Sequence, residues 1–148
     1  MKLPSITLSL KYSEEVKQSE MHKITSSLEA SEILRKCYNQ DTFFMQEQFI
    51  ILMLNQSNKV IGFYPLSRGG LTSTVVDLRL IFSTAINSFA TALIISHNHP
   101  SGNRQPSKSD EIITKKIKDA GELLDIKLFD HIILTDESYF SFADEGIL

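Results

Sequence analysis

Two uninterrupted apolar runs constrain the fold of this chain more than any other feature of its sequence. They cover residues 49–54 and 92–95, and neither alternates with polar residues. A run of strand length that is apolar throughout is typical of a β-strand whose two faces are both buried. The sequence therefore predicts one α/β domain with buried central strands.

Helix caps and turn signals account for most of the remaining chain. The segment Ser26-Ser27-Leu28-Glu29 is a capping-box pattern and predicts a helix that ends near Tyr38. Asp77 is a suitable N-cap for a second helix, and a third is predicted over about 107–124. The predicted strands and loops are a hairpin of 46–54 and 59–66 around the turn 55–58, a glycine-bearing loop at 67–70, a short strand at 71–76, strands at 126–134 and 139–142, and an N-terminal strand suggested by the alternation of Ile6, Leu8 and Leu10.

The composition argues against several classes of protein. The formal net charge is −3 and no basic stripe is present, which argues against a dedicated phosphate-binding surface. The only cysteine is Cys37, so neither an internal disulfide nor a cysteine-based zinc finger can form, and its helical setting favours a buried thiol over a reactive one. Because no signal peptide or 18-residue apolar run is present, we expect a cytoplasmic protein without a membrane partner.

A pair of histidines directly follows the second apolar run. His97 and His99 are two residues apart, and residues i and i+2 of a strand point to the same side. Pro100 then turns the chain, and Asp110 falls on the first turn of the third predicted helix, with Ser107 as its N-cap. Two imidazoles and one carboxylate with a fourth position left open are typical of a catalytic zinc site, although the same set also binds ferrous iron.

Simpler interpretations exist for each part of this pattern. The spacing of Ser107 and Asp110 is by itself a capping box, and a pair of histidines two residues apart is common by chance. His131, which follows Asp130 in the next predicted strand, is a core residue, a neighbour of the metal ligands or a fourth ligand. The joint pattern of strand end, proline- and glycine-bearing loop and helix start favours the metal site.

The segment 97–110 reads H-x-H-P-S-G-x-x-x-P-S-x-x-D, which resembles the JAMM (MPN+) metalloprotease motif as it occurs in the RadC family. The resemblance covers roughly residues 40–148 and implies a RadC-like JAB/MPN domain over 41–148 with an N-terminal extension over 1–40. It implies a cytidine-deaminase-like fold, in which a mixed β-sheet is sandwiched by helices. It further implies zinc bound by His97, His99 and Asp110, with Ser107 stabilising the oxyanion and Glu47 as the general acid/base.

The function that this resemblance implies is that of a zinc metallohydrolase, which cleaves a peptide or isopeptide amide in a peptide or protein substrate. The alternative is a DNA-repair or DNA-associated accessory protein of the RadC type, whose metal site is structural or vestigial. The roughly 40 residues before the domain show no helix-hairpin-helix-like motif of the kind found in longer RadC proteins, and the acidic balance of the sequence leads us to expect that nucleic acid is not a partner. The intact ligand set argues against a third class, the metal-free interaction modules.

Overall fold

The computed structural model describes residues 1–69 and 75–148. The described residues form one five-stranded sheet and three α-helices. The longest of these helices has 16 residues, and none of them qualifies as a candidate membrane span. In chain order the elements are α1 (Ser27–Cys37), β1 (Gln48–Leu54), β2 (Val60–Arg68), α2 (Leu78–Asn87), β3 (Ala92–Asn98), α3 (Lys108–Leu123), β4 (Lys127–Leu134) and β5 (Tyr139–Ser141).

The sheet is mixed, with the order β2-β1-β3-β4-β5. Strands β3 and β4 are parallel, and every other neighbouring pair is antiparallel. The crossover from β3 to β4 passes through α3, which is the usual way to connect parallel neighbours. Every residue of β1 and β3 is buried, so the prediction of central strands covered on both faces is confirmed.

Alternate residues of the central strands pack into two separate cores. On one face Ile50 and Ile94 meet Leu34 of α1. On the other face Ile51 and Ile95 meet α2 and α3. Burying one such side chain contributes about 1.5–3 kcal/mol. Helices therefore lie on both faces of a mixed sheet, as the resemblance to the RadC family implies.

The predicted helix starts agree with the structure, with one correction. Ser26, Asp77 and Ser107 are the N-caps of the three helices. The capping box predicted at Ser26 differs in its second half from the usual arrangement. Its hydroxyl accepts from the Glu29 N–H, but the main partners of the Glu29 carboxylate are the N–H and hydroxyl of Thr25, and the Ser26 N–H contributes less.

Two predictions about strands and loops are wrong. Residues 1–22 contain no strand, and Ile6 and Leu8 are 88% and 74% exposed, because none of the strands in residues 1–69 and 75–148 pairs with the segment 6–10. Residues 67–68 belong to β2 rather than to a loop. The strand predicted at 71–76 lies mostly outside the described residues, and residues 75–76 are not in a strand.

Candidate metal centre

The three predicted ligands meet where β3 ends and α3 begins. His97 lies in β3, His99 follows it directly, and Asp110 is in the first turn of α3. The Nε2 atoms of the two histidines are 2.9 Å apart. Asp110 Oδ1 lies 3.3 Å from Nε2 of His97, and Oδ2 lies 3.6 Å from Nε2 of His99. These donor atoms all lie within 4.8 Å of one another, so the group could hold a metal ion.

The loop between β3 and α3 brings the carboxylate back to the histidines. The His99 N–H donates to the Leu134 carbonyl, so pairing with β4 continues one residue past the strand. A turn follows, in which the Gly102 N–H donates to the His99 carbonyl. Gly102 has a φ of +81°, a conformation that glycine adopts without the strain of a side chain.

The capping box and the ligand group share the carboxylate of Asp110. Its Oδ2 accepts from the Ser107 N–H at 2.7 Å, and Ser107 Oγ accepts from the Asp110 N–H at 3.1 Å. The other oxygen, Oδ1, faces His97. The capping box and the ligand group are therefore compatible, because the cap fixes the rotamer that presents Oδ1 to His97.

The surroundings of Asp110 keep its carboxyl group ionised. Burial alone would raise the pKa, but His97 and His99, whenever they carry a proton on Nε2, donate to the carboxylate, and this outweighs burial and holds the pKa well below its usual range. Burial likewise opposes the charged form of His99, yet Asp110 and the carbonyl of Asn103 give that histidine a raised pKa. The site thus combines one fixed negative charge with two imidazoles, which suits a cation.

The chemistry of the donor atoms fits a transition-metal ion. The carbonyl of Asn103 lies 2.6 Å from Nδ1 of His99 and can only accept, so this nitrogen carries the proton in the neutral ring. Nε2 of His99 is then an unprotonated donor atom that faces His97 and Asp110. Imidazole nitrogens with one carboxylate oxygen are the ligands of many catalytic zinc sites.

Glu47 and Ser107 lie beside this group and line one cavity with His99. The cavity has a volume of about 320 Å³. Glu47 is half-buried, directly before β1, and its charge contributes to the raised pKa of His99. Its carbonyl accepts from the Gly69 N–H at 2.8 Å, which ties it to the end of β2. The other lining residues are Pro100, Ser101, Asn103, Gln105 and Pro106.

Asn98 has a structural role that the sequence analysis missed. The side chain is fully buried, its Oδ1 accepts from the Gln48 N–H at 2.6 Å, and its Nδ2 donates to the carbonyls of Phe43 (2.6 Å) and Gln46 (3.0 Å). These three partners flank Glu47, so Asn98 connects the strand of the histidines to the segment of Glu47. The sequence feature that could have indicated this role is an amide side chain between two histidines at the end of a buried strand.

His131 is a buried neighbour of the ligands and does not belong to the ligand group. Its side chain is completely buried, and its Nε2 lies 2.8 Å from Nδ1 of His97. Thr114 Oγ1 lies 2.6 Å from Nδ1 of His131, a contact that the sequence analysis did not predict. Burial lowers the pKa of His131 well below its ordinary value, and repulsion from a charged His97 adds to the effect. The ring is therefore neutral.

Comparison with known proteins places this arrangement in a family. The family model described as a RadC-like JAB domain matches residues 24–147, which include α1. A UPF0758 protein of Flavobacterium johnsoniae is 50% identical over 127 residues, or 86% of this chain and 54% of that protein. UPF0758 proteins of Porphyromonas gingivalis (48% identical; 70% of this chain, 46% of that protein) and Thermotoga maritima (37% identical; 87% and 58%) are also similar. The chain thus spans about half the length of these curated relatives, and it belongs to the RadC-like JAB domain family.

Proposed function

We propose that this chain is a zinc-dependent hydrolase of the JAMM type, which cleaves a peptide or isopeptide amide bond. The observation that carries the proposal is the convergence of two imidazole nitrogens and an ionised carboxylate at one point, beside a cavity that also contains Glu47. Membership of the JAB domain family supports it, because that family includes metallohydrolases.

Zinc is the metal that this donor set favours. Two imidazoles and one carboxylate leave one coordination position open, as in zinc hydrolases. A zinc ion held by His97, His99 and Asp110 would lower the pKa of a water molecule to about 7 and polarise the substrate carbonyl. The half-buried setting of His99 and Asp110 leaves the group accessible from the cavity.

Glu47 has the chemistry of the general acid/base. It lies on the cavity wall with His99, where a carboxylate oxygen can take a proton from the attacking water and later give it to the leaving nitrogen. Asn98 and the backbone bond to Gly69 hold the segment that carries it. This rigidity matters, because acid/base catalysis requires the carboxylate to lie within hydrogen-bond reach of the reacting atoms.

Ser107 would stabilise the negative charge that develops on the substrate carbonyl oxygen. Its Oγ accepts from the Asp110 N–H, so the hydroxyl hydrogen is available to donate. The hydroxyl also lies on the wall of the cavity with Glu47 and His99. A donor that is positioned before the reaction, where charge develops, typically contributes about 2.7–4 kcal/mol to transition-state stabilisation.

The test combines metal analysis with hydrolysis of a library of internally quenched peptides that includes lysine isopeptides. We expect about one zinc ion per wild-type chain, and loss of the metal in His97→Ala and in Asp110→Ala. Glu47→Gln should keep the metal and lose turnover, since an amide cannot take up the proton. Glu122→Gln, at an exposed position of α3, is the matched control and should behave as wild type. Full activity in Glu47→Gln would refute the assigned role.

A further inference from the structure

His131 is an unusual residue for the centre of a sheet. It lies in β4 with no exposed surface, and the ring of Phe142 stacks on it at 4.6 Å. Its two nitrogens nevertheless both have polar partners, His97 on one side and Thr114 on the other. A polar ring in an apolar setting is costly unless its partners satisfy it, so the direction of each hydrogen bond matters.

The position of each hydrogen atom in these contacts can be assigned by starting from the carbonyl of Asp110. Thr114 Oγ1 lies 2.5 Å from the carbonyl of Asp110, and a carbonyl can only accept, so the threonine hydroxyl donates there. Thr114 Oγ1 must then accept from Nδ1–H of His131. In a neutral ring with the proton on Nδ1, Nε2 is an acceptor. His131 Nε2 therefore accepts from Nδ1–H of His97.

This assignment determines whether Nε2 of His97, the candidate ligand atom, carries a proton. With its proton on Nδ1, neutral His97 has an unprotonated Nε2, and this atom faces Nε2 of His99 at 2.9 Å. His99 is held in the same tautomer by the Asn103 carbonyl. Two nitrogen lone pairs at this distance repel each other, and a shared cation relieves that repulsion.

The contacts also form a closed ring around the candidate site. Asp110 takes part twice, since its carbonyl accepts from Thr114 and its carboxylate faces Nε2 of His97. The ring therefore joins the first turns of α3 to the neighbouring strands β3 and β4. It holds both the protonation pattern of His97 and the position of Asp110 relative to it.

We propose that His131 and Thr114 are positioning residues of the metal centre, which hold His97 in the Nδ1-protonated tautomer so that its Nε2 is free to bind the metal. This inference rests on the metal site of the proposed function, but it does not depend on which bond is cleaved. Removing the hydrogen-bond partner of a metal-binding histidine typically lowers the metal affinity about 10–100-fold.

The test uses Thr114→Val, which keeps the shape of the side chain and removes the hydroxyl. We expect its zinc affinity, measured by competition with a chelator at constant pH, to fall about 10–100-fold. Thr114→Ser restores the hydroxyl and should recover most of the affinity. In the zinc-free protein at mildly alkaline pH, long-range ¹H–¹⁵N spectra should show His97 protonated on Nδ1 in wild type and as a tautomer mixture in Thr114→Val.

Thr135→Val is the matched control, because Thr135 and Thr114 are both 3% exposed and, within the part of the chain that the structure describes, the hydroxyl of Thr135 bonds to Ser138 alone. It should alter neither the zinc affinity nor the tautomer of His97. His131→Phe is a second variant that should show the same losses as Thr114→Val.

Two results would overturn the inference. One is a wild-type His97 that carries its proton on Nε2, and the other is a folded Thr114→Val with unchanged zinc affinity and tautomer. Neither measurement involves hydrolysis. An inactive wild-type chain with the expected tautomer and zinc affinity would thus count against the proposed function and support the positioning role.

Discussion

Replacing Asn98 by alanine should destabilise the domain strongly, although the change removes only one small polar side chain. The variant would leave the Gln48 N–H and the carbonyls of Phe43 and Gln46 without their side-chain partner. Gln48 and Phe43 are 4% and 5% exposed, so water cannot readily replace the amide at these two groups. Gln46 is only half-buried, so water can reach its carbonyl.

The expected cost follows from these three bonds. A buried backbone group without a partner costs about 1–3 kcal/mol, and two such groups give about 3–4 kcal/mol after relief of the amide's own desolvation. That is a large part of the 5–15 kcal/mol typical of a domain. With about 2–4 °C per kcal/mol for a chain approaching this size, the melting temperature should fall by roughly 10 °C.

Urea unfolding followed by circular dichroism measures this cost, with Asn55→Ala as the control. The Asn55 side chain also accepts two backbone bonds, from Ser57 and Lys59, but it lies in a turn that water can reach. We expect the control to cost about 1 kcal/mol or less. Equal losses in the two variants, or a loss below about 1 kcal/mol in Asn98→Ala, would refute the argument from burial.

Three further predictions follow from other parts of the molecule. Gly121→Ala should destabilise the protein by about 1–3 kcal/mol in urea unfolding despite the better helix propensity, because a Cβ there would clash with the Ile126 carbonyl oxygen. A stabilised variant would contradict this prediction. Burial raises the pKa of the Cys37 thiol to about 11, which lowers the fraction of reactive thiolate near pH 8. Ellman's reagent should therefore react about 100-fold more slowly with the native protein than with the urea-unfolded protein. Equal rates would refute this prediction. With a net charge of −3, the chain should show no salt-sensitive duplex binding by fluorescence anisotropy, whereas a steep decrease in affinity with salt would favour the DNA-associated alternative.

The elements that the sequence predicts well are those whose burial follows from local pattern. The apolar runs of β1 and β3 and the caps Asp77 and Ser107 each lie within a few consecutive residues. The strand predicted from Ile6, Leu8 and Leu10 is wrong because alternation shows only that a segment could pair. Whether a partner strand lies beside it depends on the rest of the fold.

The candidate site also combines features that follow from local sequence with features that depend on the rest of the fold. The proximity of His97, His99 and Asp110 was predictable because a strand end, a turn and a helix start determine it within 14 residues. Glu47 shares a cavity with His99, but its role as the acid/base stays a prediction, as do the roles of Ser107 and the metal ligands. Thr114 and Asn98 were missed because their partners are distant in sequence or are backbone atoms, so the residue types alone do not show what these side chains contact.

The sequence by itself determined the central strands, the helix starts and the three candidate ligands, because each depends on neighbours a few residues away. Only the tertiary structure shows the contacts from which we infer the tautomer of His97. The tautomer depends on His131 of β4, which contacts His97, and on Thr114 of α3, which contacts His131. Hydrogen-bond direction is set by partners in space, and the order of residues along the chain does not specify them.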